Sequence, residues 1–310
     1  MADLRLDDKV AIVTGSGRGL GRAYAVALAG AGAAVVVNDV DQEAADGTVA
    51  LIESGDGRAI SLVGAVGDTA TAEALVDGAV NNFGRLDVMV TNAGVLRDKV
   101  LWKMSDDDFD LVIRTHLRGT FTCARAAAVR MRDQGDGGSI IVVGSPAGQF
   151  GNFGQTNYAA AKAGIVAFAR TWALELARSQ ITVNAIVPTA WTEMTGSIPI
   201  YAPLADLVEA GEPLPGSVRR DHAIGMPDEC APLVVFLASD AAREVTGQAI
   251  GLGGDKLTLY AHPSEAVVEY RDGGWSADRV AEAWSSTLSG ERQSSGVQLP
   301  PLELEAQPQS

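Results

Sequence analysis

The sequence predicts an α/β fold, a doubly wound and mostly parallel sheet in a single domain with a small C-terminal appendage. Short β-branched runs alternate with longer helical stretches along most of the 310 residues. The runs are continuously apolar, as strands covered by helices on both faces must be. The first run also passes directly into a glycine-rich turn and an Ala-rich stretch, as at the start of a right-handed strand–helix–strand crossover.

Taken in order, residues Val10–Thr14, Ala34–Asn38, Ala59–Val63, Val88–Thr91, Ile140–Val143 and Thr182–Val187 read as strands. Between them Gly21–Ala29, Gln42–Ser54, Thr71–Phe83, Asp107–Arg132 and Asn157–Ser179 read as helices. In the last, Ile165, Phe168, Ala169, Trp172 and Leu176 recur at helical spacing. Prolines and glycines interrupt this rhythm from Pro188 to Pro227, which reads as a long substrate loop over 189–227. A helix at Glu229–Ala238 and a strand near Gln248–Leu252 return to the sheet and close a catalytic domain at residue 255. Residues 256–288 are expected as an appendage, a hairpin of Leu257–Ala261 with Ala266–Tyr270 and then a helix from Ser276 to Leu288 capped by Ser276. The polar, proline-containing residues 289–310 are expected to be disordered.

Composition narrows the function. The chain is 47% hydrophobic and 20% charged, with a formal charge of −15. That acidity argues against nucleic acid and anionic membrane as partners. Cys123 and Cys230 fall in helical stretches and suggest no disulfide framework. No signal-peptide pattern opens the chain, and the most apolar stretch, Ala23–Val37, is short and broken by Gly30 and Gly32. A soluble, cytoplasmic protein is expected. His222 and His262 have no metal-ligand spacing, so no metal is expected.

The glycine turn points to a dinucleotide. Gly15, Gly19 and Gly21, with Arg18 and Leu20 among them, lie where a strand gives way to a helix. Missing side chains there let backbone N–H groups and the positive end of the helix approach a pyrophosphate. Asp39 closes the second strand, where a carboxylate accepts hydrogen bonds from ribose hydroxyls and repels a 2′-phosphate. Arg18 argues the other way, since a guanidinium could pair with that phosphate. Close like-charge repulsion outweighs a flexible arginine, so NAD is expected over NADP.

Tyr158 and Lys162 lie one helical turn apart on the same face. A free phenol has a pKa of about 10 and is a poor base at neutral pH, but an adjacent ammonium favours the phenolate. Ser145 follows the fifth strand, at the end that faces the ligand crevice of an open sheet, where its hydroxyl can donate to a reacting oxygen. Here the sequence resembles the short-chain dehydrogenase/reductase family. The glycine turn, TNAG at Thr91–Gly94, Ser145, YAAAK at Tyr158–Lys162 and VNAIVP at Val183–Pro188 follow that family's order and spacing over residues 7–255. The resemblance implies a Rossmann-type fold, with Tyr158 as acid/base, Ser145 as oxyanion partner and Lys162 as both pKa modifier and ribose ligand. It places Asn92, Ala93, Gly94, Pro188 and Thr192 along the cofactor cleft. It also implies a homodimer or homotetramer built on the helices at Asp107–Arg132 and Asn157–Ser179.

Some positions depart from the family. An Asn usually holds a proton-relay water at a local helix kink; here the segment is HLRG, with His116 in its place. His116 reads either as a substitute proton carrier, given an ordinary pKa of about 6.5, or as a packed helix residue. The adenine-contacting Asp after the third strand is Ala65, with Asp68 nearby, and Thr189 stands where the family has Gly. A narrower likeness lies in VVVND (35–39), NAGVLRDK (92–99), HLRGTF (116–121) and GNFGQTNYAAAK (151–162), which look like the dehydrogenase domains of multifunctional β-oxidation enzymes. The leading expectation is therefore NAD-dependent interconversion of a secondary alcohol and a ketone, a 3-hydroxyacyl-CoA and its 3-oxoacyl-CoA. A hydroxysteroid or other secondary-alcohol dehydrogenase is one alternative, and a non-catalytic dinucleotide-binding partner another. Arg97, Lys99, Lys103, Arg219 and Arg220 are the candidate cations for an acyl-CoA.

Overall fold

Strand β1 (Val10–Thr14) is wholly buried and pairs in parallel with β2 (Ala34–Asp39) on one side and β4 (Val88–Thr91) on the other. Helix α1 (Gly19–Gly30) and helix α2 (Gln42–Ser54) link β1 to β2 and β2 to β3 (Arg58–Val63); α3 (Thr69–Phe83) leads to β4. The structure, a computed structural model, describes residues 4–196 and 198–302. Beyond β4 come α4 (Asp106–Val112), α5 (Gly119–Gln134), β5 (Gly138–Val143), the short α6 (Pro146–Phe150), α7 (Thr156–Leu176) and β6 (Ile181–Pro188). Three short helices, α8 (Glu193–Gly196), α9 (Ala205–Glu209) and α10 (Gly216–Arg220), fill the long excursion; α11 (Pro227–Ala238) leads back to β7 (Ala249–Gly253).

The sheet runs β3-β2-β1-β4-β5-β6-β7-β8 and is parallel except at its last edge, where β8 (Lys256–Tyr260) pairs antiparallel with β7. This is the doubly wound α/β fold that the alternation predicts. One core packs α1 and α11 against the sheet through Tyr24, Leu28, Val234 and Leu237, beside Val35 and Val37. The other packs α3, α5 and α7 through Leu75, Cys123, Met131 and Ile165, beside Ile12 and Ile140. Strand order reverses between β1 and β4, which opens a crevice at the carboxyl ends of the strands.

Two features differ from the sequence reading. Asp107–Arg132 is not one α-helix, because Ile113–Arg118 form a π-helical segment between α4 and α5. Leu257–Ala261 does not pair with Ala266–Tyr270, which has no strand; the run becomes β8 on the main sheet. The tight Gly254-Asp255 connection explains this, since Gly254 at φ +48° supplies the left-handed backbone that a short hairpin requires. Residues 256–260 therefore continue the main sheet past the boundary drawn after Asp255. The expected helix is present as α12 (Ala277–Ser286), with the Ser276 side chain capping Arg279 N–H. It buries only Ala283. Of residues 289–310, those to 302 are described, with a helical turn at Leu288–Glu291 and no strand beyond it, and 303–310 lie outside the described residues.

Candidate active site

All the cofactor and catalytic residues expected from the sequence gather along one feature, a cleft of about 1700 Å³ at the carboxyl ends of β1, β2, β4, β5 and β6. Gly15, Arg18, Gly19, Leu20, Gly21, Asp39, Asn92, Ala93, Gly94, His116, Ser145, Tyr158, Lys162, Pro188 and Thr192 all line it.

At the nucleotide end, the chain leaves β1 with Gly15 at φ +61°. A Cβ on Gly15 would lie 2.6 Å from Ala93 Cα, so the β1 and β4 turns can approach this closely only through a glycine. Asn92 fixes that approach, its Nδ2 donating to the carbonyls of Thr14 (3.1 Å) and Gly15 (2.9 Å). Gly19 has open space where a side chain would stand, and the nearest atom is Thr192 Cγ2 at 3.9 Å. The α1 N-terminus thus faces Thr192 across an unfilled gap, a cradle suited to a dinucleotide pyrophosphate and nicotinamide. Asp39 is held rigidly: one carboxylate oxygen accepts from Gly17 N–H (2.9 Å), the other from Val40 N–H (2.8 Å) and Asp41 N–H (3.2 Å). Gly17 carries no sequence signal of its own, yet a Cβ there would lie 2.7 Å from Asp39 Oδ2, so only glycine lets the carboxylate approach the turn this closely. Arg18 is ion-paired to Asp41. Ala65 lines the cleft, whereas Asp68 does not and pairs with Arg114 (2.9 Å).

At the chemical end, Ser145 begins α6, and its Oγ accepts from Ala147 N–H (3.2 Å), leaving its proton to donate elsewhere. Asn157 sets the start of α7: its Nδ2 donates to the carbonyls of Arg97 (3.1 Å) and Asp108 (3.0 Å), and its Oδ1 accepts from Tyr158 N–H (2.8 Å). That fixes where Tyr158 enters the cleft. Lys162, one turn on, is buried and donates to Val143 O at 2.7 Å, with Nζ 5.5 Å from the Tyr158 ring centre. Burial lowers the Lys162 pKa to about 7. Burial raises the Tyr158 pKa, the neighbouring Ser145 hydroxyl pulls it back in part, and Asp98 adds a further rise. In the protein alone the proton on Lys162 is therefore easier to lose than that of an exposed lysine. Its ammonium is itself disfavoured and turned toward the backbone.

His116 sits in the π-helical segment, so the helix distortion of the family is present although the Asn is not. The ring stands edge-on to Tyr158 with centroids 5.2 Å apart. Its Nε2 meets the backbone of Val95, 3.0 Å from N and 2.8 Å from O, while Nδ1 is buried with no protein partner. Gly94 makes room for it, since a Cβ there would lie 2.3 Å from His116 Cε1. Burial first, and then the Lys162 charge, lower its pKa to about 3, with the Val95 hydrogen bond opposing. The imidazole is neutral at physiological pH, which removes the imidazolium form from the proton-carrier reading.

The cations expected to meet an acyl-CoA are elsewhere. Lys99 pairs with Asp108 (2.7 Å), Arg219 with Glu229 (2.5 Å) and Asp255 (2.8 Å), and Arg97 bonds the carbonyl of Leu96 (2.7 Å). None of these, nor Lys103 or Arg220, lines the cleft; Lys256 and Arg292 do. The excursion supplies the outer part of the cleft, where Tyr201 Oη meets His222 Nδ1 at 3.1 Å. Among the described residues no helix is long and apolar enough to cross a membrane, and no three His, Cys, Asp or Glu side chains form a metal cluster.

Residues 9–199 match the family model described as short chain dehydrogenase. The chain is 39% identical to the 3-oxoacyl-[acyl-carrier-protein] reductase FabG of Thermotoga maritima, over 81% of this chain and 98% of that protein. It is 42% identical to the hydroxyacyl-CoA dehydrogenase ChsB1 of Mycobacterium tuberculosis, over 83% of this chain and 81% of that one. A crystal structure of a short chain dehydrogenase from Mycobacterium avium superposes with a TM-score of 0.80 at 34% identity, covering 93% of this chain and 97% of that one. The protein belongs to the short-chain dehydrogenase family, oxidoreductases that act on CH–OH groups.

Proposed function

We propose that the chain is an NAD-dependent oxidoreductase interconverting a 3-hydroxyacyl-CoA and its 3-oxoacyl-CoA. The convergence of Ser145, Tyr158 and Lys162 on one cleft, beside the orphaned Nδ1 of His116, carries the reading. In alcohol oxidation Tyr158 Oη takes the hydroxyl proton while Ser145 donates to the same oxygen as charge develops on it. The dinucleotide, when bound, supplies the hydride acceptor. Lys162 would hold the ribose of that dinucleotide, and its ammonium, when protonated, favours the Tyr158 phenolate over the phenol. Neutral His116 offers Nδ1 to a water behind Tyr158, a positioning role in proton exit.

The thioester assignment draws on the names of two relatives, a hydroxyacyl-CoA dehydrogenase and a 3-oxoacyl-[acyl-carrier-protein] reductase. It also draws on a cleft large enough for an acyl chain and on Lys256 and Arg292 at its lining. NAD⁺ reduction measured across 3-hydroxyacyl-CoA chain lengths and a hydroxysteroid panel tests it. Turnover of steroids alone would overturn it.

NAD is preferred because Asp39 is held at the end of β2 by three backbone N–H groups, while Arg18 is engaged by Asp41. A 2′-phosphate would meet a fixed carboxylate. The ratio of kcat/KM for NAD⁺ to that for NADP⁺ should exceed one by about tenfold or more, and Asp39→Ala should shrink it. A wild-type ratio at or below one contradicts the assignment.

The same reading makes the protein a cytoplasmic homo-oligomer, a dimer or tetramer. Both appendage tryptophans, Trp275 and Trp284, stay 43% and 49% exposed and Tyr270 is 90% exposed, more apolar surface than a lone chain gains by leaving in water. Sedimentation should show a species at a multiple of 32.1 kDa. A single monomeric species at micromolar concentration would refute it.

A further inference from the structure

The polar composition of the C-terminal residues gives no sign of an anchor, yet the segment after α12 returns over the cleft and is tied at two points. Gly296 N–H donates to Phe150 O at 2.8 Å, and Leu302 packs against the apolar cluster of the excursion, which includes Tyr201, Leu204 and Val218. Gly296 has φ +92°, a backbone conformation that lets the chain bend back at the first tie. Between the two ties, Val297 and Leu299 line the cleft. The same cleft is lined by Phe150 at the end of α6 and by Ile198 and Ile200 of the excursion.

These side chains are incompletely covered. Phe150 is 47% exposed, Ile198 43%, Ile200 51% and Leu299 44%. Ordering a chain segment costs about 1–2 kcal/mol per residue in backbone entropy, so large apolar groups held half-open around one cavity are poorly explained by their own packing. They are explained by an apolar occupant that covers them. Arg292 begins the segment as an unpaired cation among the described residues, lining the cleft of a strongly acidic chain. The segment also lies outside residues 9–199, the part matched by the family model.

We propose that Arg292–Leu302 is the specificity element of this enzyme. It is the outer wall of the substrate site, closing Val297 and Leu299 over the acyl chain of a thioester whose anionic carrier meets Arg292. The substrate named here rests on the reading of the preceding section; the wall itself rests on the two ties and the half-covered apolar lining.

Two variants test it. A chain ending at Glu291 lacks the wall. Gly296→Pro keeps the full chain but removes the N–H that binds Phe150 and cannot adopt a positive φ. In both, the ratio of kcat/KM for a long-chain 3-hydroxyacyl-CoA to kcat/KM for a small secondary alcohol should fall about tenfold, mainly through KM of the thioester. The NADH dissociation constant, read by fluorescence, should not move. Hydrogen exchange should quicken at residues 147–151 and across 198–224, and not in the central strands. If the shortened chain does not fold, Gly296→Pro alone decides. An unchanged ratio together with unchanged exchange at those residues overturns the wall. Should the full chain reject every 3-hydroxyacyl-CoA, the preceding assignment fails by itself. The wall is then judged by the same ratio between the largest and smallest secondary alcohols the enzyme accepts, and by the exchange measurement.

Discussion

Replacing Tyr158 by Phe should lower kcat for alcohol oxidation by about a hundredfold or more while NADH binding persists. Phe fills the same space on α7 and keeps the ring against His116, so packing is retained; only the group that exchanges the proton is removed. Wild-type activity in the oxidative direction should carry the signature of that group. Burial raises the Tyr158 pKa, Ser145 opposes, and Asp98 raises it further, so the basic phenolate is favoured only as pH climbs. Oxidation should therefore accelerate from neutral into alkaline pH, and the Phe variant should lose that limb. His116 should contribute no limb of its own near the ordinary histidine range, because it is held neutral with a pKa of about 3. A Phe variant with wild-type turnover would remove Tyr158 from the chemistry.

The parts of this site that sequence exposes are those whose geometry is local. Tyr158 and Lys162 share a face because a helix places residues one turn apart together, and Ser145 must reach the crevice because a parallel strand ends there. Gly15 is legible for the same reason: a strand-to-helix turn at positive φ needs it. Other features depend on partners far along the chain. Lys99 and Arg219 looked free for an acyl-CoA, yet Asp108, Glu229 and Asp255 neutralise them. Arg292 stands in a polar tail, and its relevance comes from ties to Phe150 and to the Tyr201 cluster, partners distant in sequence. Sequence pairs the β8 run with a neighbour, Ala266–Tyr270, whereas the open edge of β7 takes it through a two-residue turn. The electrostatics were the least legible. Helical spacing puts Lys162 beside Tyr158, but only its full burial and its bond to Val143 O reveal that the ammonium is the strained member of the pair.

That strain gives a second large effect. Lys162→Met should abolish turnover and, in the protein without cofactor, raise the melting temperature at neutral pH. The Lys162 pKa falls from 10.5 to about 7 in the folded chain. At roughly 1.4 kcal/mol per pH unit, holding the proton there costs on the order of several kcal/mol. Met keeps most of the volume and carries no charge to desolvate. Losing the hydrogen bond to Val143 O takes back about 1 kcal/mol, so the net gain should be a few kcal/mol and several degrees. The pH dependence has a definite sign. Below about pH 7 the folded and unfolded chains both carry the proton, and the full cost of burying it is present. Between about pH 7 and 10.5 the folded chain has released the proton that the unfolded chain still binds, so wild-type stability from this group rises with pH. The gap between Lys162→Met and wild type should thus be widest at and below pH 7 and close as the pH approaches 10. Saturating NADH should narrow it from the other side, because wild type gains binding energy through Lys162 that the Met variant lacks. A Met variant less stable than wild type at pH 6 would show that Lys162 is seated without strain.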